Sequence, residues 1–96
     1  MPKGYWVAHM EVTDPVAYER YKSLNRKAFA EFGGQFVVRG GTQQVIEGSA
    51  RARTVVIEFP SYEAALACYH SAAYAEAIAA REGASVGDLV IVEGFA

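Results

Sequence analysis

The sequence predicts a single α+β domain, because strand-like and helix-like segments alternate along its 96 residues. The most tightly specified stretch runs from Thr54 to Tyr74 and contains one strand, one corner and one helix. Thr54 to Phe59 is β-branched and apolar enough for an interior strand, and Pro60 ends that strand because it has no N–H for the ladder. Ser61 is then placed to cap a helix. We expect the rest of the chain to be arranged around this unit.

The segment before this unit predicts a strand followed by a long helix. Residues Tyr5 to Val12 alternate between two faces, as residues in a strand do. Asp14 and Pro15 are typical of a helix start, with aspartate as the N-cap and proline in the first helical position. Apolar residues recur at helical spacing until Gly33-Gly34, where we expect the helix to end.

The residues in the middle of the chain predict its secondary structure less clearly. Gln35 to Arg39 predicts a second strand, and Thr42 to Glu47 is typical of either a further strand or a continuation of the second. Between them, Gly40-Gly41 fits either a two-residue hairpin turn or a kink in one long strand. Both interpretations stay open at this point.

The remaining segments complete a recognisable order of elements. A helix is predicted over residues 62–70, and a second over residues 71–82 with Ser71 as its cap. A loop between Gly83 and Gly87 then leads to a final strand over residues 88–93. The order β-α-β-(β)-β-α-α-β, with two βαβ halves, predicts a ferredoxin-like sandwich in which the helices cover one face of an antiparallel sheet.

The second face of this sheet is expected to bind another copy of the chain. Val7 and Val56 would lie on the face without helices, and the last strand is apolar on both sides, with Leu89 and Ile91 on one and Val90 and Val92 on the other. A monomer rarely exposes so large an apolar patch. We therefore expect a two-fold homodimer with sheets packed face to face, the alternative being a loop of the same chain folded over that face.

Composition excludes several classes of partner. The net charge is −2 with both signs mixed along the chain, so we expect neither nucleic acid nor a membrane as a partner. The single cysteine, Cys68, fits a reducing compartment, and with no apolar run of signal or membrane-spanning length we expect a cytoplasmic protein. Neither a phosphate-binding nor a dinucleotide motif occurs, so no cofactor is indicated. No metal site is expected either, because histidine and cysteine do not cluster.

Several motifs resemble those of a known family. They are Gly4 to Ala8, Val12 to Tyr18, Gly33 to Gly41, Val56 to Ser61, Tyr69 to Tyr74 and Gly87 to Gly94. Together they resemble an uncharacterised bacterial family catalogued as domain of unknown function thirteen-thirty, over essentially the whole chain. That family is similar to the dimeric α+β barrel superfamily, whose members include cofactor-independent monooxygenases and isomerases. The resemblance implies the fold and the homodimer but no established activity.

The candidate catalytic residues are His9 and Glu58. They fall on adjacent central strands and, by parity, on the dimer-facing side. A histidine next to a carboxylate is a general base near neutral pH, which is the catalytic interpretation. The same two residues would also serve as an interfacial ion pair that fixes the register of the dimer.

The candidate ligand-binding residues are Asn25, Arg39, Tyr74 and Arg81. Asn25 interrupts the apolar stripe of the first helix, so it would bind either a ligand or nearby backbone and water. Arg39 would bind an anion, neutralise Glu58 or form a salt bridge at the surface or interface. Tyr74 and Arg81 share a helix face, where Tyr74 would otherwise be a core residue and Arg81 would cap a carbonyl or point into the mouth of a pocket. If these residues converge, the site suits a small carboxylate or phenolic compound. The function expected is small-molecule binding, with a cofactor-independent monooxygenase or isomerase as one interpretation and a non-catalytic dimeric binding or assembly module as the other.

Overall fold

The computed structural model describes residues 2–95, which form a four-stranded antiparallel sheet with three helices on one face. The strand order is β2-β3-β1-β4. The elements are β1 (Gly4–Val12), α1 (Pro15–Glu31), β2 (Gln35–Arg39), β3 (Arg53–Phe59), α2 (Tyr62–Tyr69), α3 (Ala72–Arg81) and β4 (Ser85–Glu93). The predicted ferredoxin-like α+β sandwich is confirmed.

Each helix begins at the cap that the sequence predicts. The Asp14 side chain accepts a hydrogen bond from the Ala17 N–H at 3.1 Å. Ser61 accepts from Ala64 at 3.0 Å, and Ser71 from Tyr74 at 3.2 Å. These bonds satisfy N–H groups that the first turn of a helix leaves without partners, so local chemistry sets the three helix starts.

Trp6 is the centre of the core. Its side chain is 2% exposed, and its indole N–H donates to the Ala65 carbonyl of α2 at 2.8 Å. The rings of Phe29 from α1 and Tyr74 from α3 lie edge-on to it, with centroids at 5.0 and 4.8 Å. Edge-to-face packing of this kind adds about 0.5–1.5 kcal/mol per pair beyond area burial. One residue of β1 therefore contacts all three helices.

The two faces of the sheet differ as the alternation predicts. The inner face, which the helices cover, buries Trp6, Met10, Val55, Ile57 and Phe59. The intervening residues of β1 and β3 lie on the opposite, outer face and are only partly buried; they are Tyr5, Val7, His9, Thr54, Val56 and Glu58.

The connection between β2 and β3 corrects the prediction for the middle of the chain. Residues 40–52 contain neither a strand nor a continuation of β2, and Gly40-Gly41 is neither a hairpin turn nor a strand kink. The Gly40 N–H donates to the Thr54 carbonyl at 2.9 Å and ends the ladder. Val45 and Ile46 are β-branched but 46% and 78% exposed, so an extended conformation there would gain no burial.

The last strand is longer than predicted. β4 begins at Ser85, and Gly87 pairs with Met10 inside the sheet instead of bordering a loop. The reason is the length of β1, whose nine residues pair with β4 along their full extent. Within residues 2–95, none of the helices has the length and apolarity needed to cross a bilayer.

Gly4 allows β1 to approach the start of α2. A β-carbon on Gly4 would lie 2.7 Å from the Cα of Tyr62 and collide with the Ser61 carbonyl, both of which are backbone. We expect Gly4→Ala to lower the free energy of unfolding by about 1–3 kcal/mol, because the overpacked backbone must shift. Urea denaturation measures this change.

Gly41→Ala is the matched control. Gly41 is exposed, and nothing lies within 4 Å of an added β-carbon there. Its unfolding free energy should stay within about 0.5 kcal/mol of the wild type. Equal effects of the two substitutions would contradict the close packing of β1 on α2.

Candidate functional site

A cleft lies between the inner face of the sheet and helices α1 and α3. Its volume is about 40 Å³, enough for a few water molecules. The floor is apolar and aromatic, with Trp6, Phe29 and Phe36 among its residues. The polar side chains that line it are Tyr18, Tyr21, Lys22, Asn25, Arg39, Arg53, Tyr74 and Arg81. All four ligand-binding candidates from the sequence therefore lie in one cleft; their role stays a prediction.

Asn25 is the most unusual of these residues. It lies on the buried stripe of α1, one turn from Tyr21 and Ala28, and is only 7% exposed. Its Oδ1 is buried and accepts no hydrogen bond from any of residues 2–95. The sequence left two interpretations of Asn25 open. The one in which the amide binds nearby backbone does not hold for its Oδ1 atom. A buried acceptor without a partner destabilises a fold by about 1–3 kcal/mol.

Arg53 is the second polar group in the cleft without a partner. It is the first residue of β3, and its Nε is buried without a hydrogen-bond acceptor. Its guanidinium packs so closely on Gly40 that a side chain there would collide with it. Gly40 also has a φ of 65°, which favours glycine, so the end of β2 is shaped around Arg53.

Arg39 reaches the cleft because of an irregularity in β2. The pairing of β2 with β3 shifts between Phe36 and Val38, as at a β-bulge. As a result Phe36 and Arg39 share the inner face, and the Arg39 guanidinium lies 4.6 Å from the centre of the Phe36 ring. In a regular strand, residues three apart point to opposite faces. Arg39 therefore cannot neutralise Glu58, which lies on the outer face.

Two tyrosines form a hydrogen-bonded pair under Arg81. The hydroxyl oxygens of Tyr21 and Tyr74 are 2.6 Å apart. The Arg81 guanidinium carbon lies 5.4 Å from the Tyr21 ring centre and 5.9 Å from that of Tyr74. Burial raises the pKa of Tyr74 well above its ordinary value, although Arg81 opposes the shift. Tyr74 is consequently protonated at neutral pH and can donate a hydrogen bond.

Tyr18 completes the polar wall of the cleft. Burial raises the pKa of its hydroxyl, and the charges of Arg53 and Arg81 act in the opposite direction. A neighbouring cation favours the ionised form of a phenol, whereas desolvation disfavours it. The cleft thus holds hydroxyl donors and cations side by side, which suits an oxygen that carries or develops negative charge.

The two catalytic candidates lie elsewhere. His9 pairs with Thr54, whereas Glu58 pairs with Tyr5, four positions along β1, so the two side chains are roughly 13 Å apart at 3.3 Å per residue. The expected contact between imidazole and carboxylate is absent. Both residues lie on the outer face, and the sheet separates them from Asn25. Their catalytic role stays a prediction and would belong to the outer face.

Each candidate on the outer face has its own partners. Glu58 accepts a hydrogen bond from the Tyr5 hydroxyl at 3.0 Å, which raises the pKa of Tyr5, and lies 3.7 Å from the Lys3 ammonium. His9 Nδ1 lies 3.3 Å from the Thr54 hydroxyl, which donates to Gln43 at 2.6 Å. Because that hydroxyl proton is used, Nδ1 of His9 is the donor in this contact.

Sequence reasoning missed Arg53 and the two tyrosines of α1. Tyr18 and Tyr21 lie on the buried stripe of α1, where their spacing indicates only a core role, but both also line the cleft. The alternation of β3 predicts the position of Arg53: it lies two residues before Val55, so both side chains are on the inner face. Among the residues that the structure describes, no group of histidine, cysteine or acidic side chains could hold a metal ion.

Solved structures show the same fold in proteins of low sequence identity. A protein of unknown function from Rhodopseudomonas palustris is 18% identical, with a TM-score of 0.77 over 99% of this chain and 84% of that one. SnoaB, a cofactor-independent oxygenase from Streptomyces nogalater, is 13% identical, with a TM-score of 0.66 over 100% and 96% of the two chains. A proposed antibiotic biosynthesis monooxygenase from Caulobacter crescentus is 19% identical, with a TM-score of 0.58 over 99% and 90%.

At these identities the likeness establishes the fold alone. A comparison with curated protein sequences yields no match. The family model described as "Domain of unknown function (DUF1330)" matches residues 3–95. This match covers nearly the whole chain and agrees with the motifs noted in the sequence, so the protein belongs to the DUF1330 family.

Proposed function

We propose that this protein binds a small organic molecule in the cleft between α1 and the sheet and acts on it without a cofactor, as a monooxygenase or isomerase. The observation that carries the proposal is Asn25, a carboxamide in the middle of a buried helix face whose Oδ1 has no partner. An apolar residue of the same size would stabilise the fold better. A ligand that hydrogen-bonds to Asn25 gives a reason for the amide to be there.

The side chains around Asn25 suit a reaction that passes through an anion. Tyr74 is a protonated hydroxyl donor, and Arg81 places a positive charge beside it. Donors and cations fixed in an apolar site stabilise the negative oxygen of an enolate or phenolate. Such an anion is the reactive species in isomerisation through an enolate and in oxygenation without a cofactor. SnoaB, which shares the fold, is an oxygenase of the cofactor-independent kind.

The alternative is a non-catalytic dimeric module that binds a ligand or only assembles. His9 supports this alternative, because it contacts the Thr54 hydroxyl, which in turn donates to Gln43 and so ties the 40–52 connection to the outer face. In that case the polar groups of the outer face fix a register and catalyse nothing. For either function we propose the cytoplasm as the compartment, which suits a chain with one unpaired, buried cysteine.

Replacing Asn25 tests the ligand-binding function. We expect Asn25→Leu to raise the free energy of unfolding of the ligand-free protein by about 1 kcal/mol, because a buried acceptor without a partner is removed. In a thermal-shift screen of metabolites, a compound that raises the melting temperature of the wild type should have a much smaller effect on this variant.

Lys27→Leu is the control for this substitution. Lys27 is exposed on the same helix, so its replacement should leave both stability and ligand response unchanged within about 0.5 kcal/mol. A large fall in melting temperature for Asn25→Leu would show that the amide has a structural role. An undiminished ligand response would place the binding site elsewhere.

We further propose that two copies pack through the outer face. Val38, Val56, Val7 and Val90 lie directly opposite one another and form a valine row across all four strands. Val38 and Val90 are 38% and 57% exposed, so the 40–52 connection does not cover them. Polar pairs border the row on both sides, Tyr5 with Glu58 and His9 with Thr54. An apolar centre with a polar rim is typical of a protein interface, and the partner that fits is a second copy.

A charge in the valine row tests this assembly. We expect the wild type to sediment as a dimer at micromolar concentration and Val90→Glu to sediment as a monomer, because a buried carboxylate would have no partner in the interface. Val16→Glu is the control, since Val16 is 84% exposed but lies on α1. A wild type that sediments as a monomer would contradict the proposed dimer.

A further inference from the structure

The charges that line the cleft all have one sign. Lys22, Arg39, Arg53 and Arg81 contribute positive charges, and no aspartate or glutamate is part of the lining. Only Lys22 has a carboxylate partner, Glu19 at 3.0 Å; the three arginines form no ion pair with any of residues 2–95. The whole chain has a net charge of −2, so this concentration of cations is local. Cations without counter-charges around a half-enclosed site favour an anionic ligand.

The two atoms without partners have complementary hydrogen-bonding roles. Arg53 Nε is a donor without an acceptor, and Asn25 Oδ1 is an acceptor without a donor. An inorganic anion that is fully ionised would satisfy Arg53 but would leave Asn25 as it is. A ligand that satisfies both must present a negative oxygen to Arg53 and an O–H or N–H to Asn25.

The walls of the cleft favour a flat, conjugated group as the apolar part of the ligand. Trp6, Phe29 and Phe36 present aromatic surfaces, and the Arg39 guanidinium lies over the Phe36 ring at 4.6 Å. Flat π-systems stack on both kinds of surface. The volume of about 40 Å³ is less than a single ring needs, so the long side chains of Arg39 and Arg81 at the rim must move on binding. A small flat ligand requires the least of this movement.

We infer that the ligand of this cleft is a small aromatic or conjugated acid that also carries a hydroxyl group, with its anionic oxygen on Arg53 and its hydroxyl donating to Asn25. This inference rests on the proposed function and names the ligand class. 4-Hydroxybenzoate is a model for the class: near pH 7 its carboxyl is ionised, whereas its phenol, with a pKa of about 10, is not.

The test measures binding in the cleft through Trp6. This residue is the chain's single tryptophan and it lines the cleft, so its indole N–H gives one assignable NMR resonance. The unmodified protein is titrated with 4-hydroxybenzoate, benzoate, 4-hydroxybenzyl alcohol and sulfate, which carries no proton at neutral pH. We expect 4-hydroxybenzoate to shift the resonance and saturate. The alcohol, which lacks the charge, should bind roughly tenfold or more weakly, since a hydrogen bond to a charged group contributes this much. Benzoate, which lacks the donor, should also bind roughly tenfold more weakly, since it leaves the buried Asn25 acceptor without a partner.

Two variants test which residue binds the hydroxyl group of the ligand and which binds its carboxylate. Asn25→Leu should weaken 4-hydroxybenzoate to the level of benzoate and leave benzoate itself unchanged, because only the hydroxyl contact is lost. Arg53→Gln should weaken both acids by roughly tenfold or more. Arg26→Gln is the control, since Arg26 is exposed on α1 and does not line the cleft. The four titrations of the unmodified chain decide the ligand class even if a variant fails to fold.

The outcomes separate this inference from the proposed function. Equal binding of the alcohol and the acid, or a response to sulfate alone, would overturn the inferred class. If no acid shifts the indole resonance while a neutral metabolite from the thermal screen does, the class is wrong and the cleft remains a binding site. If neither the acids nor any metabolite shifts it, the proposed function fails as well.

Discussion

The contact between Trp6 and α2 is the constraint on which the rest of the fold depends. The indole N–H is bonded to the Ala65 carbonyl, and rings from α1 and α3 pack edge-on against the same side chain. A single large residue on β1 thereby holds three helices against one face of the sheet. Because residues 2–95 supply no helix for the other face, the ends of the valine row, Val38 and Val90, stay exposed within one chain.

The same packing creates the cleft and explains its chemistry. α1 presents a buried stripe that Asn25 interrupts, and Arg53, the first residue of β3, lines the same cleft. Neither buried polar atom finds a partner within residues 2–95. A fold optimised for stability alone would have apolar residues at such positions. Functional sites commonly keep polar residues that lower stability because activity needs them.

The sheet divides the polar residues into two independent groups. Asn25, Arg53 and Tyr74 line the cleft on the inner face, whereas His9 and Glu58 lie on the outer face with the valine row. Residues of the first group are available to a small ligand. Those of the second group lie where a second copy of the chain would pack, so ligand binding and assembly can be tested by separate substitutions.

The sequence by itself determined the helix starts, the strand alternation and the inner face, because caps and two-residue periodicity are local properties. It also placed Asn25 on the buried stripe of α1 and Tyr74 and Arg81 on one face of α3, since helical spacing fixes which side each residue occupies. The tertiary structure alone decided that these faces meet in one cleft. Only the tertiary structure decided that Arg39 turns inward, because the bulge in β2 arises from its pairing with β3. The separation of His9 from Glu58 was likewise decided by strand register, which parity alone cannot supply. For residues 42–47, local β-propensity had no neighbouring strand to pair with, so the chain there forms a connection instead of a strand.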